Sequence, residues 1–171
     1  MRSLSLICLL FGLVWAQTTP SPDETTPSDI QFSPFAVTDG KYALGTFAKV
    51  NWYQAQATCA SYGYTLVSIN TENDQRALRN FLYTRAHSQL QLLSEPLWTS
   101  GTDLANPDNW IWFSNGRTFT YRNFQNGLSY YPSNGSDCLG VYAITGAWVN
   151  ADCREQRYFV CEKRCLFDDI N

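Results

Sequence analysis

Four cysteines, Cys59, Cys138, Cys153 and Cys161, bracket the aromatic-rich part of a 171-residue chain. A cross-link pins distant points of a chain together, so paired cysteines restrict the topologies open to it more sharply than hydrophobic patterning does. Spacing alone does not decide which pairs form, and at this level the connectivity stays open.

The start of the chain sets the redox compartment. Arg2 precedes an apolar run from Leu4 to Trp15, and Val14-Trp15-Ala16 has the small-residue pattern of signal peptidase cleavage, so residues 1–16 read as a signal peptide and the mature chain is expected to begin at Gln17. The run is too short to span roughly 30 Å of hydrocarbon, and no later stretch approaches about 20 apolar residues, so a secreted, soluble protein is expected. In an oxidising compartment, thiols pair rather than bind zinc or carry out redox chemistry. Cys8 leaves with the signal peptide, and Cys165 is left over beyond the four framework cysteines. It stands either as a bridge to a second copy, giving a disulfide-linked dimer, or as a free thiol in the tail.

The formal net charge of -3 offers no basic surface for nucleic acid or an anionic membrane, and neither is expected as a partner. Residues 17–36 are dominated by Thr, Ser, Pro and acids, too polar to bury a core, and read as a flexible tail that serves as an O-glycan carrier or as an unmodified spacer. An aromatic share of 15% then supplies large rings for one globular domain over residues 37–162, followed by a C-terminal tail at 163–171.

Within that domain Lys41 to Phe47 alternates as a short strand. Asn51 caps a helix whose core face is expected to carry Ala48, Trp52, Ala55 and Cys59, with Gly63 ending it. A strand from Thr65 to Ile69 leads to a second helix opened by Asn70 or Thr71, with Glu72 and Asp74 in its first turn and Leu78, Phe81 and Leu82 as its buried stripe. From His87 to Pro96 a loop is expected, with extension of the helix through Leu90, Leu92 and Leu93 as the alternative. Asn115-Gly116 between the runs 110–113 and 118–121 marks a hairpin. Cys138 to Ile144 returns through Thr145-Gly146 to Ala147–Val149, and Arg157 to Cys161 closes the domain. Two helices followed by a strand-rich half define an α+β class.

The residues then resemble the C-type lectin-like domains, particularly the secreted arthropod lectins, over about Val37 to Glu162. The likeness rests on Gly45-Thr46 before Val50-Asn51-Trp52-Tyr53-Gln54-Ala55, on Leu66-Val67-Ser68-Ile69, on Leu97-Trp98-Thr99-Ser100-Gly101-Thr102-Asp103-Leu104, on Trp148 placed ahead of Cys153, and on Tyr158-Phe159-Val160-Cys161-Glu162. It implies two helices with antiparallel sheets and a long loop region, and pairing of Cys59 with Cys161 and of Cys138 with Cys153. It also places Trp98, Trp110, Trp112 and Trp148 in the core.

In sugar-binding members a calcium ion joins protein to sugar, held by a Glu-Pro-Asn or Gln-Pro-Asp triplet, an acid before the third cysteine, and Trp-Asn-Asp. Calcium takes six to eight oxygens and its affinity rises with ligand charge. This chain has Leu128-Ser129-Tyr130 at the first triplet, Ser136 at the acid, with Asp137 matching a different position, and Trp148-Val149-Asn150 at the last. Asn150 alone retains an oxygen, so the sugar-site calcium is expected to be absent. A separate structural calcium stays open at Ser68, Asn70, Asp74 and Glu162, which match positions that hold such an ion in some members. The plainer expectation is that Asn70 caps the helix, Asp74 favours its start, and Glu162 lies on the surface.

Without calcium, Tyr130 and Tyr131, where the family's ligand loop is expected, together with Asn150, become the candidate ligand-binding residues. The alternative is that the tyrosines fold inward to fill the ion's space. Asn134-Gly135-Ser136 is a glycosylation sequon on the same loop, and a glycan on Asn134 would crowd that surface. His87 is the only histidine, and neither a nucleophile elbow nor a phosphate-binding glycine loop occurs, so catalysis is not expected. The sequence reads as a secreted C-type lectin-like protein that recognises an extracellular glycan or protein without the calcium bridge. A conventional calcium-dependent lectin is the alternative and a glycosidase the remote one.

Overall fold

A computed structural model describes residues 33–125 and 137–164. The element order is β1 (Phe35–Thr38), β2 (Tyr42–Val50), α1 (Trp52–Ser61), β3 (Tyr64–Leu66), α2 (Glu72–Thr84), a 3-10 helix (His87–Leu92), β4 (Leu97–Thr102), β5 (Ile111–Trp112), β6 (Arg117–Thr118), β7 (Cys138–Val141), β8 (Trp148–Ala151) and β9 (Arg157–Lys163).

Both α-helices begin at reciprocal caps. The Asn51 side chain accepts from Gln54 N while the Gln54 side chain accepts from Asn51 N, and Thr71 and Asp74 make the same exchange at α2. Thr71 is therefore the cap of α2, not Asn70. Trp52, Ala55 and Cys59 form the buried face of α1, and Leu78, Phe81 and Leu82 lie on that of α2. Ala48 does not join them: β2 continues to Val50, pairs there with Arg157, and leaves Ala48 exposed. Helical spacing placed Ala48 on the face, but the Asn51 cap starts the helix after it.

The strands run in the order β1-β2-β9-β4-β5-β6, with β3 added on β9 and the β7–β8 hairpin on β4. The sheet is mixed rather than wholly antiparallel, because β4 and β9 run parallel at Trp98 and Phe159. β3 stops at Leu66, although Val67 N still donates to Val160 O at 3.0 Å and Ile69 stays buried. The expected loop at 87–96 contains the 3-10 helix, and α2 does not extend into it. Trp112 pairs with Arg117, so the hairpin loop has four residues, Phe113 to Gly116, with Gly116 at φ +70.

One core cluster joins Leu78, Phe81 and Leu82 of α2 to Trp110, Trp112, Phe119, Phe124 and Trp148; the other gathers Trp52, Trp98, Phe159 and all four framework cysteines. Trp112 stacks on Phe119 at 4.2 Å and meets Trp148 edge-on at 5.4 Å. The bridges are Cys59–Cys161 and Cys138–Cys153, the pairing that the resemblance implies. The first joins α1 to β9, and the second closes the base of the β7–β8 hairpin.

Candidate functional site

The β7–β8 hairpin carries what the structure describes of the expected ligand-binding region. Cys138, Leu139, Gly140 and Val141 pair with Ala151, Asn150, Val149 and Trp148. Trp148 is completely buried, its backbone N donates to Asn123 O at 2.9 Å, and its indole Nε1 donates to Gln75 Oε1 at 2.7 Å. These contacts fix the strand, and Val149 and Asn150 are left partly exposed on it. Among the named strands β8 pairs only with β7, and Trp148 also forms an isolated parallel bridge with Phe124.

At the other end of the hairpin, Asp137 is held through its backbone. Its carbonyl accepts from Thr102 Oγ1 at 2.7 Å and from Asp103 N at 3.2 Å. Asp103, quoted above only as part of a motif, closes the turn that follows β4: its Oδ2 accepts from the N of Asp108, which sits at φ 66, at 3.0 Å. Its Oδ1 is buried with no hydrogen-bond partner among the described residues. Burial raises the Asp103 pKa, the hydrogen bond from Asp108 opposes the rise, and the charge of Asp137 adds to it.

A calcium ion at this hairpin would need several anionic oxygens. The described part offers the amide of Asn150, the single carboxylate of Asp137 and a hydrocarbon at Val149, and no group of three or more His, Cys, Asp or Glu residues that could hold a metal ion occurs among the described residues. These groups do not fit the ion. Tyr130, Tyr131, Asn134, Ser136 and Cys165 lie outside the described residues.

Three of the four residues weighed for a structural ion do converge. Glu162 Oε1 accepts from Ser68 N at 2.9 Å and from Ser68 Oγ at 2.5 Å, and the amides of Asn70 and Asn115 each donate to Ser68 Oγ at 3.3 Å. Glu162 is thus half-buried and not a surface residue; β9 carries it between β2, where it pairs with Tyr42, and β3, where it pairs with Thr65. Desolvation raises its pKa against the opposing hydrogen bonds from Ser68 and the charge of Lys41, while Asp74 adds to the rise. Asp74 itself is turned to the cap of α2, where Oδ2 accepts from Thr71 N at 3.0 Å and Thr71 Oγ1 at 2.9 Å. No side-chain atom of this cluster is both buried and without a hydrogen-bond partner among the described residues. No local pattern pointed to Glu162, because its partner is 94 residues away.

The sequence profile of the Lectin C-type domain matches residues 48–163. Among curated proteins, the galactose-specific lectin nattectin of Thalassophryne nattereri is 28% identical over 67% of this chain and 68% of its own. C-type mannose receptor 2 of Mus musculus is 29% identical over 90% of this chain but only 10% of its own length, so the chain corresponds to a small part of that receptor. Among solved structures, the cow C-type carbohydrate-recognition domain of CD23 superposes with a TM-score of 0.60 at 24% identity, over 83% of this chain and 98% of that one.

Proposed function

Given that the chain belongs to the C-type lectin domain family, a family of non-enzymatic binding domains, we propose that it is a secreted recognition protein that binds an extracellular glycan or protein surface directly, with no calcium bridge between them. One observation carries this reading: β8 offers Trp148-Val149-Asn150, a buried ring, a hydrocarbon and one neutral amide, where a calcium-bridged sugar would require carboxylate. Contact then falls to the polypeptide itself. Asn150 supplies an amide, and Tyr130 and Tyr131 supply aromatic faces and hydroxyls suited to stacking on a sugar ring.

A glycan is the first ligand to test, since carbohydrate binding is typical of the family and nattectin is named as galactose-specific. The two disulfides suit an extracellular setting. Removal of residues 1–16 on export, the likeness to arthropod lectins, a glycan on Asn134 and a Cys165-linked dimer belong to the same proposal.

The test is retention on immobilised monosaccharides, with and without chelator. Calcium-indifferent retention that falls when Asn150, Tyr130 or Tyr131 is replaced supports the proposal. Chelator-sensitive retention would identify a conventional calcium-dependent lectin and overturn it.

A further inference from the structure

Away from the β7–β8 strands, one exposed face of α2 forms a cleft of about 250 Å³ with the turn that joins those strands. Arg76 and Asn80, like Arg79 and Tyr83, lie four residues apart, and Arg76–Arg79 and Asn80–Tyr83 three, so the four share a helix face distinct from the stripe of Leu78 and Leu82, and Ala143 and Ile144 form the opposite wall. Tyr83 is 67% and Ile144 64% exposed. The Tyr83 ring is propped edge-on by His87 at 5.8 Å.

Arg79 is held ready. Its Nη2 donates to Ile144 O at 3.3 Å. Its aliphatic stem lies against Gly146, where a Cβ would come within 2.7 Å of Arg79 Cδ, so glycine at φ +73 makes room for it. The guanidinium has no ion pair among the described residues, which leaves most of its donors unused. Arg76 donates through Nη2 to Asn73 Oδ1 and meets Glu72 at 3.5 Å through Nη1, exposed contacts that solvent largely screens and that an anionic ligand would compete for. A chain with a net charge of -3 thus sets two guanidiniums beside an exposed phenol ring and an amide.

The geometry points to a second recognition site: the α2 cleft takes one anionic sugar residue of an extracellular glycan, with its sulfate or carboxylate on Arg76 and Arg79 and its ring against Tyr83. The volume lies below the roughly 300–1,000 Å³ of pockets for drug-sized ligands, which limits the occupant to about one ring. Guanidinium forks can donate two parallel hydrogen bonds to a pair of oxygens on a carboxylate or a sulfate group. Tyr83 and Asn80 add an apolar face and an amide, which suit a ring bearing hydroxyls better than an acidic peptide. The inference rests on the glycan reading above but uses none of the β7–β8 strand residues, so each can fail alone.

The test is titration of the full secreted chain in chelator with a heparin-derived hexasaccharide, its desulfated but still carboxylated counterpart, a neutral hexasaccharide and an oligoglutamate. The expected result is salt-sensitive binding of the heparin fragment, weakened at least about tenfold by R76Q together with R79Q and severalfold by Tyr83→Ala, with Asn150→Ala having no effect on it. Gln at position 79 keeps a donor for Ile144 O, and an unchanged near-ultraviolet spectrum confirms the fold. Binding of the desulfated fragment as well assigns the contact to carboxylate, and its loss assigns it to sulfate; both support the site. Absence of binding to the heparin fragment, an unchanged affinity in the arginine double variant, or equal binding of oligoglutamate would overturn it.

Discussion

Gln75 Oε1 accepts the indole N–H of Trp148 at 2.7 Å, a buried bond that ties α2 to the β7–β8 hairpin across 73 residues of sequence. Through it the helix that carries Arg76 and Arg79 is registered against the strand that carries Asn150.

Replacing Gln75 with Met should expose the value of this bond. The variant keeps side-chain length but leaves the Trp148 N–H buried without an acceptor, at a cost of about 1–3 kcal/mol. Urea unfolding should show a lower midpoint with an unchanged slope. A midpoint equal to that of wild type would mean that the bond contributes nothing net.

The two disulfides should differ in weight. Cys59 and Cys161 are 102 residues apart, Cys138 and Cys153 only 15. On the chain-entropy model a loop of order 100 residues contributes about 4–5 kcal/mol and one of order 15 about 3 kcal/mol. A variant with Cys59 and Cys161 both replaced by Ala should fail to accumulate in culture medium, whereas the corresponding Cys138 and Cys153 variant should accumulate with a lowered Tm. Equal secretion and equal Tm for the two would contradict the entropic ranking.

What the sequence disclosed and what it withheld follow from the range of the forces involved. Asn51 with Gln54, and Thr71 with Asp74, are local exchanges three residues apart, so the helix starts were readable. Trp98, Trp112 and Trp148 were readable as core from the family likeness rather than from strand position alone, since Phe47 also lies on a strand and is exposed. Ala48 was misplaced because helical spacing matched by coincidence in a stretch where pairing of β2 with β9 decides the structure. Glu162 looked like a surface acid because its burial depends on Ser68 in a segment far away in sequence. The face of Arg76, Arg79, Asn80 and Tyr83 was present as a spacing, but only the turn at Ile144 makes it a cleft.

Gly45 and Gly101, noted first as parts of motifs, have a steric reason in the fold. A Cβ at Gly45 would lie 2.3 Å from the Phe159 ring, and one at Gly101 2.7 Å from Leu139 Cβ and 2.9 Å from Phe119. Both contacts sit between paired strands or stacked rings that cannot give way cheaply. Gly45→Ala should destabilise the domain by about 1–3 kcal/mol or more, as overpacking of a filled core does. Gly45→Ala combined with Phe159→Leu should recover part of that loss relative to the sum of the single changes, because the smaller side chain frees the space. Strict additivity in thermal unfolding would show that the ring is not what Gly45 accommodates.

The last prediction concerns pH. Burial raises the Glu162 pKa above its ordinary value of 4.5, so the folded chain holds this proton more tightly than the unfolded chain does. The sign follows from linkage: stability falls as pH rises from the unfolded pKa through the folded one, because the native carboxylate must then ionise in a partly desolvated place. Glu162→Gln keeps an oxygen to accept from Ser68 N and carries no charge at any pH. The stability of wild type relative to E162Q should therefore be greatest at low pH, near and below 4.5, and should decline as the pH is raised through the window just above it. Measured by Tm against pH, a difference that stays flat, or that moves in favour of wild type on the way to neutrality, would show that Lys41 and the Ser68 donors outweigh desolvation at this carboxylate.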